Sequence, residues 1–149
     1  MQQLKNLSIR FIDDDAFEAT VANDTGLVLD SIFGFSFHGE PREPFRSALE
    51  VLIRAQSERS IPIVSVDVPS SWNVDEGQST SEIAKRFNPE VLVSLTAPKM
   101  GVAGFAGKKH WLGGRFIDPA MNARYELKLP NYPGASQVVD ITGCKPVDT

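Results

Sequence analysis

Short apolar runs alternate with polar or helical segments along this chain of 149 residues. Strand-like runs occupy residues 7–12, 26–33, 61–68 and 91–96. The first run alternates apolar and polar side chains, whereas the second and third are apolar without strict alternation. Continuous apolar runs are typical of parallel strands that have helices over both faces of the sheet. The pattern therefore predicts an α/β fold in which the strands at 26–33 and 61–68 are central and parallel.

One amphipathic helix is predicted between the second and third strands. Its apolar residues recur at intervals of i, i+4, i+7 and i+8, at Phe45, Leu49, Leu52 and Ile53. A proline is tolerated in the first turn of a helix, so we expect the helix to begin near Pro44. Such a helix supplies the crossover that two parallel strands need.

A second, shorter helix is predicted at residues 79–86. Ser79 or Thr80 can cap it, and Glu82 falls in its first turn, where an acidic side chain is favoured. Its position after the third strand fits the alternation of strands and helices.

Glycine and proline divide the last third of the chain. Residues 111–116 predict an edge strand with a bend at its two glycines. A short helix is predicted around 119–125, because Pro119 suits a first helical position. Residues 130–149 predict an irregular tail, and the whole chain is short enough to form a single domain.

Composition limits the classes of protein to which the chain can belong. With 42% hydrophobic residues, 23% charged residues and a net charge of -4, it fits an ordinary globular domain, and its acidity argues against a nucleic-acid partner. Cys144 is the sole cysteine, which excludes an intrachain disulfide or a cysteine-based metal site and fits a reducing compartment. There is no apolar run of membrane-spanning length and no secretory signal, so we expect a cytoplasmic or mitochondrial protein without a membrane partner.

Two acidic residues close successive predicted strands. Asp30 follows the run 27–29 and Asp67 follows the run 61–66, and a loop marked by glycine or proline comes directly after each. In parallel α/β sheets, ligands bind outside the carboxyl ends of the strands. We therefore predict that both loops line one shared crevice.

The loop after Asp30 combines permissive glycines, a hydroxyl and two aromatic rings. Its residues are Gly34, Phe35, Ser36, Phe37, His38, Gly39 and Glu40. Such a loop can bring backbone N–H groups close to a phosphate while its rings cover an apolar face of a ligand. The alternative is a buried turn with Phe35 and Phe37 in the core. The glycine spacing is neither that of a Walker loop nor that of a Rossmann fingerprint.

The second loop places a carboxylate, a proline and a hydroxyl within four residues of a strand end. Asp67 can take up or supply a proton if partial burial raises its pKa. Alternatively Asp67 only stabilises the next turn, and Ser70 is only a turn hydroxyl. Lys99 also follows a strand end, where it either approaches a phosphate or lies on the surface. His38 and His110 are too isolated to predict a zinc site or a catalytic triad, so a structural role is expected for both.

Four short segments, in this order, resemble the NAD(P)H-hydrate epimerase family, also called the YjeF N-terminal domain family. They are DSIFGFSF at 30–37, VDVPS at 66–70, LTAPK at 95–99 and LGGRF at 112–116. The similarity covers residues 26–133, and four linked motifs are far more specific than any one of them. The resemblance implies a Rossmann-like three-layer αβα sandwich with a mostly parallel central sheet.

The resemblance also implies a reaction and a site. Family members interconvert the R and S epimers of hydrated NADH or NADPH with a bound K⁺ ion. By motif, Asp30 and Ser70 match the potassium ligands, and a hard cation prefers such oxygen donors. The loop from Gly34 to Glu40 matches the segment along the hydrate, and Asp67 matches the acid/base residue near its C6 carbon.

The chain departs from the family pattern in ways that affect these expectations. It has no Asn-Asn-Gly-Gly-Asp segment, so we expect the domain to lack its N-terminal part and leave a sheet edge uncovered, which a partner or a second copy in a homodimer would cover. The alternative function is a non-catalytic protein- or RNA-binding module of the same fold. His38 stands where lysine is common and Glu40 where aspartate is common. Ser71 stands where the family usually has glycine, so the turn is strained if that position needs a positive φ.

Overall fold

The protein forms a mostly parallel β-sheet with helices, which confirms the predicted α/β class. The structure is a computed structural model that describes residues 2–78 and 81–144. Within this part of the chain the sheet has five strands in sequence order. They are β1 (Val28–Asp30), β2 (Ile63–Val66), β3 (Val91–Leu95), β4 (Lys109–Gly113) and β5 (Val139–Asp140). The first four are parallel, and β5 is antiparallel to β4.

Helices connect or flank these strands. They are α1 (Gln2–Asn6), α2 (Asp14–Asp24), α3 (Phe45–Arg59), α4 (Glu82–Arg86) and α5 (Pro119–Tyr125), with a short 3₁₀ helix at Met100–Val102. Helix α3 is the predicted crossover between β1 and β2, and Leu49 and Leu52 on its predicted apolar face are buried. It ends at Ser60, whose left-handed conformation lets its N–H donate to the carbonyl of Gln56.

The core lies on one face of the sheet. Ile63 of β2 packs with buried residues of α2, α3 and α4. Leu92 of β3 contributes to a second cluster with Val68, Trp72, Ala84 and Val102. Residues that alternate with these point to the other face and remain partly or largely exposed; they are Leu29, Val64, Val66, Val91 and Val93. We call these five residues the open face.

The predicted strand at residues 7–12 is wrong. Helix α1 precedes this segment, which is irregular and leaves Leu7 71% exposed and Ile9 52% exposed. An alternating pattern forms a strand only where a neighbouring strand offers a hydrogen-bonding partner. Among the described residues, no strand pairs with β1 on the side away from β2.

The positions of two strands in the sheet also differ from the prediction. β1 and β2 are parallel as expected, but β1 lies at an edge of the described sheet rather than at its centre. β4 was predicted at the edge, yet β5 pairs with its outer side. β5 lies in the tail that was predicted to be irregular. It was missed because two residues are too few to show a periodic pattern.

The short helices follow their capping residues. In α4, the side chain of Ser81 accepts a hydrogen bond from the N–H of Ala84, and Glu82 begins the first turn as predicted. The predicted caps Ser79 and Thr80 lie outside the described residues. Helix α5 has the predicted position, with Asp118 as its cap. Helix α2 was not predicted, since only Val21 on it is buried and its periodicity is weak.

Candidate functional site

The carboxylate of Asp30 lies at the end of β1 and is 1% exposed. Its Oδ2 atom accepts hydrogen bonds from the Ser65 hydroxyl at 2.6 Å and from the Ser70 N–H at 3.0 Å. Its Oδ1 atom accepts one from the Ser70 hydroxyl. These bonds bring the end of β1, the middle of β2 and the loop after β2 together, so Asp30 and Ser70, which the family motifs match to ion ligands, lie in direct contact.

The oxygen atoms of this cluster fit a hard cation. Ser70 Oγ also accepts a hydrogen bond from the N–H of Phe33 at 3.1 Å, and its remaining lone pair is available to a ligand. Within residues 2–78 and 81–144, no lysine or arginine forms an ion pair with Asp30. A buried carboxylate without a basic partner favours a bound cation, and carboxylate and hydroxyl oxygens are donors that suit a hard cation. The described part of the chain contains no group of three or more histidine, cysteine, aspartate or glutamate residues that could hold a metal ion.

Asp67 lies directly after β2 and contacts two distant segments. Its Oδ2 atom accepts a hydrogen bond from the N–H of Phe35 at 3.0 Å, and its Oδ1 atom lies 2.5 Å from Nζ of Lys99. The side chain of Asp67 is 15% exposed and that of Lys99 is 22% exposed, so the pair is partly shielded but reachable. Because Phe35 is 32 residues away along the chain, the alternative in which Asp67 only stabilises its own turn is wrong.

Three non-glycine residues near the carboxyl ends of β2 and β3 have a positive φ. The values are 72° for Asp67, 77° for Ser71 and 67° for Thr96. This conformation is costly for residues with a Cβ atom, above all for a β-branched threonine, and such strain clusters at functional sites. Thr96 is held by a hydrogen bond from its N–H to the carbonyl of Gly113 at 2.8 Å. The positive φ that would strain Ser71 is present.

The loop after Asp30 begins with a turn packed against Asp67. The N–H of Phe37 donates to the carbonyl of Gly34, and a Cβ atom at Gly34 would lie 3.0 Å from Asp67 Oδ2. A side chain at residue 34 would therefore require the Asp67 carboxylate to shift by a few tenths of an ångström. Phe35 is 66% exposed, so the core alternative is wrong for this ring, while Phe37 stacks on Phe33 with ring centres 4.2 Å apart.

The same loop ends against the helices. Glu40 accepts a hydrogen bond from the N–H of Glu82 at the start of α4 and forms a 3.4 Å ion pair with Arg46 of α3. Ser36 and His38 are exposed. Gly39 has a φ of +83°, and a Cβ atom at this position would have no neighbouring atom within 4 Å. A cavity of about 270 Å³ lies here, lined by Phe33, Phe37, His38, Gly39, Glu40, Arg42 and Phe45.

Some residues of these clusters were missed from the sequence. Ser65 is the one polar residue in the apolar strand β2, and it is buried. A lone serine in such a strand indicates a side chain that has a hydrogen-bond partner in the interior. Lys99 was expected near a phosphate or on the surface, whereas it pairs with Asp67. His110 was considered too isolated for a zinc site or a catalytic triad. Its Nε2 lies 2.8 Å from the hydroxyl of Ser94, and burial lowers the pKa of the imidazole. Ser94 is fully buried, so this pair is structural.

Comparison with known proteins gives a consistent set of relatives. The family described as YjeF-related protein N-terminus matches residues 1–101. The chain is 48% identical to an NAD(P)H-hydrate epimerase of Mycosarcoma maydis, over 99% of this chain and 55% of that protein. It is 46% identical to an NAD(P)H-hydrate epimerase of Neurospora crassa, over 95% of this chain and 57% of that protein.

A solved structure resembles the fold as well. The crystal structure of yeast ynu0, YNL200c, has a TM-score of 0.78 and 34% sequence identity, and the match covers 93% of this chain and 57% of that one. The chain thus spans about half the length of the curated relatives it matches. In residues 2–78 and 81–144, none of the helices has the length and apolar character to cross a membrane.

Proposed function

Because the chain belongs to the YjeF-related protein N-terminus family, we propose that it is an NAD(P)H-hydrate epimerase, which interconverts the R and S epimers of hydrated NADH and NADPH. The observation that carries this proposal is the position of Asp67. Its carboxylate contacts Lys99 and the start of the ligand loop at Gly34 and Phe35, which we call the 34–35 turn. Asp67 also lies three residues before Ser70 of the buried cluster.

Asp67 is the proposed acid/base residue. Epimerisation requires that a bond at one carbon be broken and formed again, and a carboxylate assists this by transferring a proton to and from the reacting group. The partly shielded position of Asp67 supports this role, since a ligand over the 34–35 turn reaches the carboxylate while little water does.

The loop from Gly34 to Glu40 is the proposed ligand segment. The exposed ring of Phe35 is available to cover an apolar face of the hydrate, and Gly34 keeps the backbone close to Asp67. The N–H groups of Phe33, Phe35 and Phe37 already have protein partners, so these amides serve to shape the loop. His38, Gly39 and Glu40 line the adjoining cavity, which adds room for a further part of the ligand.

Asp30 and Ser70 are the residues that would hold K⁺. When bound, the ion would supply a positive charge that balances the buried carboxylate and favours negative charge on the ligand. The hydroxyls of Ser65 and Ser70 each donate to one oxygen of the Asp30 carboxylate and so fix its orientation.

The open face supports a homodimer or a covering partner. Leu29 is 62% exposed and Leu27 close to it along the chain is 56% exposed, beside the unpaired edge of β1 in the described sheet. Contiguous exposed apolar residues mark interaction surfaces. We expect no nucleic-acid partner, given the net charge of -4, and we expect the protein in the cytoplasm or mitochondria, since a sole cysteine that forms no intrachain disulfide fits a reducing compartment.

Binding of NADH hydrate in potassium and in lithium buffers of equal ionic strength tests the ion and the ligand together. We expect about tenfold tighter binding in K⁺, which corresponds to about 1.4 kcal/mol. Asp30→Asn should abolish the difference between the two salts, because it removes the buried negative charge. The matched control is Asp75→Asn at an exposed loop position. Equal affinities in both salts for the unmodified chain would refute the potassium site.

A further inference from the structure

Lys99 lies between β3 and the 3₁₀ helix with its ammonium group held by two acceptors. Nζ donates to Asp67 Oδ1 at 2.5 Å and to the backbone carbonyl of Leu95 at 2.9 Å. A surface lysine normally keeps its ammonium group in water and gains little from an ion pair. Lys99 instead has a 22% exposed side chain and a charge-assisted bond to the proposed acid/base residue.

The two oxygens of the Asp67 carboxylate have different partners. Oδ1 is bound by Lys99, and Oδ2 is bound by the N–H of Phe35. A carboxylate terminal torsion is broad when free, so two partners are needed to fix its plane. Without Lys99, the N–H of Phe35 alone would orient the group, and the hydrogen bond at Phe35 would lose its fixed acceptor.

The backbone before Lys99 turns so that the Lys99 side chain reaches back to the end of β3. The positive φ of Thr96 turns the chain directly after β3, so that Lys99 reaches the carbonyl of Leu95, four residues earlier. Gly114 supports this turn, since a Cβ atom there would lie 2.8 Å from the Thr96 nitrogen. The turn is strained, is packed closely against Gly114 and places the Lys99 ammonium group on the Asp67 carboxylate. Such strain indicates that this contact has a functional role.

We propose that Lys99 is a positioning residue that fixes the Asp67 carboxylate and, through it, the backbone of the 34–35 turn. Its effect on catalysis rests on the proposed epimerase function, whereas its effect on the turn does not. Lysine suits the position because its compact ammonium group binds a carboxylate and a carbonyl at once, while arginine presents a longer planar fork.

Amide hydrogen exchange tests the effect on the turn. In Lys99→Met we expect exchange at Phe35 to become about tenfold faster or more, while exchange at Ile63 stays close to its original rate. The Ile63 N–H, bound to Glu90 Oε2 at 2.7 Å, reports general loss of stability. Lys99→Arg should restore part of the protection. Lys85→Met is the matched control, because Lys85 forms an ion pair with Glu82 on the surface.

The outcomes separate positioning from general stabilisation. Unchanged Phe35 exchange in Lys99→Met would overturn the proposal, and so would equal acceleration at Phe35 and Ile63. Selective acceleration at Phe35, reduced in Lys99→Arg and absent in Lys85→Met, would support it.

Epimerisation kinetics of the same variants test the effect on catalysis. We expect Lys99→Met to lower kcat at least tenfold with a smaller rise in KM, because proton transfer depends directly on the misplaced carboxylate, whereas binding also uses the rest of the ligand loop. Lys99→Arg should recover part of kcat. A rise in KM with an unchanged kcat would overturn the catalytic part of the proposal. If the unmodified chain does not epimerise the hydrate, the proposed function fails, and the exchange measurement still decides whether Lys99 positions Asp67.

Discussion

Ser71 combines two unfavourable features in one buried position. Its φ of 77° is one that glycine adopts at no steric cost, and its hydroxyl is buried without a hydrogen-bond partner among the described residues. The left-handed conformation costs roughly 1–2 kcal/mol for a residue with a Cβ atom. An unsatisfied buried hydroxyl costs about 1–3 kcal/mol more.

We expect Ser71→Gly to raise the free energy of unfolding by about 1 kcal/mol, since the greater entropy of unfolded glycine offsets part of both gains. Urea unfolding measures the change. Ser60→Gly is the matched control, because Ser60 also has a positive φ, of 56°, but is exposed at the end of α3. A smaller gain at Ser71 than at Ser60, or a loss, would contradict the role of the buried hydroxyl.

The individual site residues were only partly predictable. Asp30 and Asp67 could be placed at strand ends because each directly follows an apolar run. The contacts of Asp67 with Phe35 and Lys99 each join residues 32 positions apart, and no local spacing shows such contacts. The four linked motifs contained all three residues, but they did not show which atoms meet.

Helices α3 and α5 were predicted well because their signals are local. A periodic apolar face and a proline in the first turn are properties of the segment itself. The strand at 7–12 was predicted wrongly and β5 was missed, since a strand depends on a partner that the segment does not contain. The same reason explains why β1 was expected at the centre of the sheet.

The open face makes self-association a testable property of the sheet. Leu29→Lys places a charge in the apolar surface beside the β1 edge, and charged edge residues disfavour pairing between chains. We expect the unmodified chain to form dimers and Leu29→Lys to raise the dissociation constant about tenfold or more. Light scattering over a range of concentrations measures this.

The control for this surface is Met121→Lys on α5, which replaces a 44% exposed apolar residue that is not one of the five residues of the open face. Its dimerisation should match that of the unmodified chain. A chain that stays monomeric at every concentration, or equal effects of both substitutions, would rule out the open face as the dimer interface.

In the molecule as a whole, the site residues at the carboxyl ends of the first three strands form two hydrogen-bonded sets, and the loops after β1 and β2 contribute to both. Hydrogen bonds join Asp30 to Ser70, Ser70 to Phe33, Asp67 to Phe35 and Asp67 to Lys99. Glu40 then links the ligand loop to the start of α4. The chain spans about half the length of its curated relatives, so the decisive question is whether these residues are sufficient for turnover.

Conversion of pure R-NADH hydrate to the S epimer by the 149-residue chain in potassium buffer answers this question. Asp67→Asn is the best test variant, because asparagine tolerates the positive φ of this position while removing the carboxylate, and Asp75→Asn is its control. We expect conversion above the spontaneous rate that is lost in Asp67→Asn and kept in Asp75→Asn. No conversion by the unmodified chain, or equal rates with and without the Asp67 carboxylate, would contradict an epimerase site centred on Asp67.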